Sequence, residues 1–230
     1  MQNYLCTMQG LRRSNSPAIL LLEDGTVFEG KALGASGTSV GEIAFNTGMY
    51  GYQEIFTDPS YHRQMLVMAT AHIGNYGVHN AEVESDGTKV AGIIVRNFST
   101  IASRVGGAGT LQEDLEKNGT VGISDVDTRK LVRHIRMNGA MNCILSTEKF
   151  DIDVLKKQLA EVPSMEGLAL SGEVSVDEAY DFNEIKDGHR IALLDLGLKR
   201  SIAQCLADRG CDIRVFPWDS KAEDLLAWNP

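Results

Sequence analysis

Between residues 190 and 216 the chain spells an apolar strand, a helix and a second apolar strand, and this succession narrows the fold more than any other feature. Residues 190–194, RIALL, read as an apolar strand led by Arg190. Residues 198–209 carry helical spacing, which predicts Leu198, Ile202, Cys205 and Leu206 facing inward, and 212–216, DIRVF, read as a second strand with Ile213, Val215 and Phe216 as its apolar residues. Strands joined through a helix run parallel, because only a long crossover returns the chain to the same end of a sheet. One such unit cannot cover both faces of a parallel sheet. The pattern therefore predicts a sequence that stops inside a domain. Ser220 and Glu223 are spaced to cap one more short helix over 222–228.

Upstream the pattern is different. Residues 18–22 and 26–30 flank Asp24-Gly25, a pair that predicts a hairpin with a two-residue turn. Residues 42–46, 64–70, 90–96 and 141–146 have strand character. Thr110 and Glu113 form a capping box for a short helix that ends before Gly119. Asp127 is placed to cap a helix over 128–138, with Leu131 and Ile135 on one face and Gly139 past its end. Many strands with few helices predict an α+β domain with mixed sheets. The organisation that follows is a leader or loose arm at 1–16, an amino-terminal domain at 17–147 and a helix (153–162) with a connecting segment at 148–187. The opening of an α/β domain follows at 188–230.

Composition excludes several classes. Hydrophobic residues at 43% and charged residues at 23% are ordinary for a globular chain of 230 residues. The net charge of −9 repels phosphate backbones, which argues against nucleic-acid binding. No apolar run approaches the ~20 residues of a membrane helix, and no signal peptide is readable. The four cysteines, Cys6, Cys143, Cys205 and Cys211, show no CxxC spacing, as expected of a reducing cytoplasm.

Candidate chemistry is sparse. None of the cysteines sits on the small-residue turn that a nucleophile needs; Cys205, mid-helix, and Cys211, at a helix–strand corner, read as structural thiols. His72 and His79 lack a third ligand at metal spacing, and the Gly-rich stretches lack a phosphate-loop order. Arg129, Lys130, Arg133, His134 and Arg136 make one helix strongly basic, either as a solvated face or as a docking face for an acidic partner. The most informative segment is 51–61, GYQEIFTDPSY. Asp58 and Pro59 are an N-cap and N1 pair, so a helical turn should begin there. Ser60 would then lie among unpaired backbone N–H groups suited to a carboxylate, or be merely solvated.

Five strings, LEDGTVFEG, VGEIAFNTGMYGYQEIFTDPSY, HIGNYG, SDVDTRKLVRHIRMNGAMNC and LLDLGLKRSIAQCLADRGCDI, together resemble the small subunit of glutamine-dependent carbamoyl-phosphate synthetase. The first four are specific to that family, and the fifth resembles the start of its class I glutamine amidotransferase domain. The resemblance implies an α+β amino-terminal domain followed by the first βαβ unit of an α/β glutaminase. It implies a cytoplasmic subunit that hydrolyses glutamine and passes ammonia to a large subunit, which makes carbamoyl phosphate for arginine and pyrimidine synthesis. The partners so implied are that large subunit and glutamine, with no nucleic acid and no membrane. No cofactor is implied for this chain, since ATP and metal belong to the large subunit.

Within the DPSY motif the resemblance gives Ser60 a part in binding glutamine. The family's catalytic Cys, in a Gly-x-Cys-x-Gly-His-Gln turn, and its later His and Glu have no counterpart here and would lie beyond Pro230. The expectation is a catalytically incomplete piece of the subunit, or alternatively a non-catalytic docking module for the synthetase.

Overall fold

The computed structural model describes residues 16–185 and 187–230. The loose arm expected over 1–16 lies, apart from Ser16, outside the described residues, as does Cys6. The chain divides into two compact units. One comprises the described residues up to Tyr52 with 63–82 and 91–163; the other comprises 53–62, 83–90 and 164–230.

The strands of the first unit are β1 (Pro17–Leu22), β2 (Val27–Gly34), β3 (Thr38–Asn46), β4 (Gln64–Met68), the short β5 (His72–Ile73), β6 (Gly92–Ile94), the short β7 (Asn97–Phe98), β8 (Val121–Ser124) and β9 (Asn142–Ser146). Among the described residues seven of them close into a barrel, in the order β1-β2-β8-β6-β4-β3-β9. Neighbours from β3 through β4 and β6 to β8 are parallel, and the remaining barrel pairs are antiparallel. The sheet is therefore mixed, in keeping with the α+β expectation.

Burial follows the pleat. Leu20 and Leu22 of β1 point into the barrel with Ile43, Met65, Val67 and Ile123. Ile19 and Leu21 point outward onto Leu155 and Leu159 of a helix, Ile152–Ala160. A strand covered on both faces needs the unbroken apolar run PAILLL. At Gly122, in β8, a Cβ would come within 2.3 Å of a Leu33 methyl, so any side chain there would force Leu33 to move. That glycine also dilutes the apolar pattern of β8, which was not anticipated from the sequence.

The helices are α1 (Tyr52–Phe56), α2 (Leu111–Lys117), α3 (Thr128–Asn138), α4 (Ile152–Ala160), α5 (Ser171–Val174), α6 (Arg200–Ala207) and α7 (Ala222–Ala227). Both halves of the Thr110–Glu113 capping box form, and Asp127 caps α3 by accepting the Lys130 N–H at 3.0 Å. Leu131 and Ile135 of α3 plug the barrel core. The hairpin at Asp24-Gly25 forms too, but its loop is longer than predicted. Leu22 N–H donates to the Thr26 carbonyl, which leaves Glu23, Asp24 and Gly25 in a three-residue loop with Gly25 at φ +88°.

In the second unit β10 (Tyr180–Asp181), β11 (His189–Leu194) and β12 (Cys211–Phe216) form a sheet in the order β10-β12-β11. β11 and β12 are parallel and α6 is the crossover between them. The inward face predicted for α6 forms in part. Ala203 is its buried residue, Leu206 and Ala207 are partly buried against the sheet core, and Ile202 (49% exposed) and Cys205 face outward. Leu198 and Leu206, two of the four residues predicted inward, do pack on the sheet core of Cys211, Ile213 and Val215. No helix among the described residues is long and apolar enough to cross a membrane.

Candidate functional site

The sequence Thr57-Asp58-Pro59-Ser60-Tyr61 folds into a 3-10 turn, Pro59–Tyr61, within the second unit. Proline fixes φ at the first position, and the Asp58 carboxylate accepts the Ser60 N–H at 2.9 Å. The Tyr61 N–H donates to the Asp58 carbonyl and the His62 N–H to the Pro59 carbonyl. The expectation of unpaired N–H groups around Ser60 is therefore corrected. So short a turn closes its own donors, and none is left for a carboxylate. What it does present is the side chain of Ser60, which is exposed and whose hydroxyl makes no hydrogen bond among the described residues.

The turn is held from behind. Asp58 is buried, 7% exposed, and its second oxygen lies 2.6 Å from Lys199 Nζ. That hydrogen bond, working against partial desolvation, holds the Lys199 ammonium above its ordinary pKa. Lys199 sits on the loop between β11 and α6, and this loop is built around a second buried carboxylate, Asp195. Asp195 accepts the N–H groups of Gly197 (2.9 Å), Leu198 (2.7 Å) and Val176 (2.9 Å). Gly197 has φ +105°, and a Cβ there would press on Pro59 at 3.3 Å and Val174 at 3.2 Å. A side chain at 197 would thus push the Lys199 loop off the serine turn.

A third strand of chain completes the arrangement. The Glu84 N–H donates to Thr57 Oγ1 (2.9 Å) and the Ser85 hydroxyl to the Thr57 carbonyl (2.6 Å). Glu84 then closes the start of α6: its carbonyl accepts the Arg200 N–H at 2.8 Å and its carboxylate the Ser201 N–H at 2.9 Å. The α6 terminus is therefore occupied by the chain's own anion. A cavity of about 340 Å³ opens nearby, lined by Glu84, Lys89, Tyr180, Asp195, Leu198 and Arg200, but neither Ser60 nor Lys199 lines it. Burial, with the Asp195 and Asp86 carboxylates, holds the Tyr180 phenol above its ordinary pKa.

The sequence singles out Ser60, Asp58 and Pro59, and they do act as one turn. Lys199, Asp195 and Glu84 were not anticipated; the signal available for them was the glycine inside DLGLKRS, which only a strained or closely packed loop requires. The other candidates do not join this site. Cys143 is buried and burial pushes its thiol pKa far up; Cys211 is also buried, whereas Cys205 is exposed, contrary to its expected structural burial. His79 accepts the Ala81 N–H through Nδ1, and no metal-binding group of three or more His, Cys, Asp or Glu occurs among the described residues. His134 pairs with Asp24 at 2.5 Å rather than extending the free basic face of α3.

Comparison with known proteins places these observations in a family. The family model described as carbamoyl-phosphate synthase small chain, CPSase domain, matches residues 20–145. Over a 229-residue alignment the chain is 41% identical to the carbamoyl phosphate synthase small chain of Vibrio vulnificus, covering 93% of this chain and 60% of that protein. It is 40% identical to the small chain of Pectobacterium atrosepticum and 39% identical to that of Escherichia coli, with the same coverage. The chain thus spans about three-fifths of the length of the curated relatives it matches.

Proposed function

Because the chain belongs to the family of carbamoyl-phosphate synthase small chains, we propose that it carries part of a glutamine site, with Ser60 as the residue that holds the substrate. The observation that carries this is the Ser60 side chain itself: exposed, without an intramolecular partner among the described residues, and on a turn fixed by buried Asp58 and its half-buried partner Lys199. An ordered donor free of competing bonds spends little conformational entropy on binding. In this proposal residues 188–230 open a class I glutamine amidotransferase domain, and the loop after β11 lies where parallel sheets place their ligands, at a carboxyl end.

The chemistry divides accordingly. Ser60 donates to a substrate oxygen away from the amide that reacts, so it stabilises ground state and transition state alike. The attacking thiol of the family belongs to a Gly-x-Cys-x-Gly-His-Gln segment that this sequence does not contain. The 230-residue chain alone should therefore release no ammonia from glutamine above background. Ammonia made by the complete subunit would pass to a large subunit that holds ATP and metal and makes carbamoyl phosphate for arginine and pyrimidine synthesis.

The test is a Ser60→Ala change in a small subunit carried to the length of its relatives and paired with its large subunit. Losing one hydrogen bond, about 1 kcal/mol, should raise the glutamine KM roughly fivefold with little change in kcat. Ammonia-dependent synthesis should be spared. If both activities fall together, Ser60 is a folding residue; if neither moves, it is a solvated turn residue.

A further inference from the structure

The cavity of about 340 Å³ in the second unit takes no part in the proposed glutamine site, since neither Ser60 nor Lys199 lines it. Its walls come from three stretches of that unit, 84–89, 174–182 and 195–203. The volume is that of a small-ligand site, and the groups still free on the walls decide which ligand fits.

Two of the four carboxylates on the walls are already engaged. Asp195 accepts three backbone N–H groups, and Glu84 accepts the Ser201 N–H. The remaining charges balance. Asp177 is exposed and Lys89 half-buried, and neither side chain has a hydrogen bond or ion pair among the described residues. Arg200 meets Asp86 only at 3.4 Å, and the Asp86 side chain is 99% exposed. One acid and one base thus lack partners, and a second such pair is loosely joined. The Tyr180 hydroxyl makes no hydrogen bond among the described residues either. Burial first, and then the nearby carboxylates, hold its pKa up, so it is a protonated donor. Three apolar residues, Val176, Phe182 and Leu198, stand on the walls and are only partly buried against Ile213 and Val215.

A simple anion entering this cavity meets Asp86 and Asp177 as well as the bases, and a simple cation meets Lys89 and Arg200 as well as the acids. A ligand with one charge of each sign satisfies both sets, and an apolar body on it covers the three apolar side chains. We infer that the cavity is a binding site for a free α-amino acid with an apolar side chain. Its carboxylate is held by Lys89 and Arg200, its ammonium by Asp177 and Asp86, and its side chain by Phe182 and Leu198. The Tyr180 hydroxyl supplies one more donor to the carboxylate. This site is separate from the one at Ser60 and does not rest on the glutamine reading.

The test is isothermal titration calorimetry of the 230-residue chain with L-leucine. Trp218 fluorescence gives a second readout, because the Trp218 N–H donates to Ser175 Oγ at 2.9 Å and Ser175 lines the cavity. Saturable one-to-one binding is expected by both. Isocaproate, which lacks the ammonium, and isoamylamine, which lacks the carboxylate, should each bind about tenfold more weakly, the effect of losing one charged hydrogen bond. L-Glutamine, whose side chain is polar, should also bind about tenfold more weakly. Lys89→Met and Asp177→Asn should each weaken L-leucine binding about tenfold. Should either variant lose its fold, the two truncated probes on the unmodified chain decide. No binding of L-leucine at millimolar concentration would overturn the inference. Equal binding of isocaproate or isoamylamine, or binding unaltered in both variants, would overturn it as well.

Discussion

β1 and β11 are each six residues long and end in apolar runs, AILLL in PAILLL and IALL in HRIALL, yet they meet opposite fates. From Ala18 to Leu22 every residue of β1 is buried, whereas no residue of β11 is, and Leu194 is 41% exposed. β1 has a barrel neighbour on each edge and α4 on its outer face. β11 has one neighbour among the described residues, β12, and lies at the sheet edge. An apolar run states what a strand is able to bury; its neighbours decide how much it does bury. The barrel unit is closed on itself, and the unit that carries the serine turn is held by an open sheet and a few buried carboxylates.

Truncation of matched leucines should expose the contrast most strongly. Leu20→Ala leaves a cavity in the barrel core and should cost about 2–5 kcal/mol, while Leu193→Ala on β11 should cost well under half of that. Urea unfolding followed by circular dichroism measures the first. Both tryptophans, Trp218 and Trp228, belong to the second unit, so their fluorescence reports it alone. Equal losses at the two positions would erase the distinction between closed and open sheets.

The buried carboxylates supply the next effect. Lys199→Met leaves the Asp58 carboxylate without its cation and should destabilise the second unit by about 1–3 kcal/mol, read as an earlier fluorescence transition. The pair also fixes a sign. Lys199 titrates above its ordinary 10.5 when folded, so its contribution is complete below that pH and is lost as pH rises through the folded value. Above pH 10.5 the original chain should lose more stability than the Lys199→Met variant. Parallel loss in the two would mean that the pair does not hold the turn.

The smallest effect belongs to the barrel unit. Thr110→Ala removes half of a capping box and should cost about 1 kcal/mol at neutral pH. Hydrogen bonds from the Thr110 backbone and hydroxyl hold the Glu113 carboxyl below its ordinary value. The box is therefore complete above that ordinary value and fails as pH falls through the folded one. An acid titration of the original and Thr110→Ala chains checks this, the difference between them shrinking toward low pH.

Local features were legible in the sequence and long-range ones were not. The hairpin, the Thr110–Glu113 box, α3 and the strand–helix–strand rest on residues a few positions apart and formed. The cap expected from Ser220 and Glu223 did not: α7 starts after Lys221 with no side-chain cap. Closure of the barrel rests on pairs such as β2 with β8 and β3 with β9, roughly a hundred residues apart, for which no short pattern exists. The inward face of α6 was read correctly at Leu198 and Leu206 and wrongly at Ile202 and Cys205, which are exposed, while the small Ala203 is buried. At the site, Asp58-Pro59 announced a turn, but the partner that locks it, Lys199, stands 141 positions away and carries no local mark.

Native-state amide exchange on the 230-residue chain tests most directly whether the two units differ as their burial implies. Amides of β1, β4 and β9 should exchange only through global unfolding of the barrel, while those of β11 should exchange through local opening at lower denaturant. Protection in β11 equal to that in β1, in a sample shown by sedimentation to be monomeric, would contradict the account.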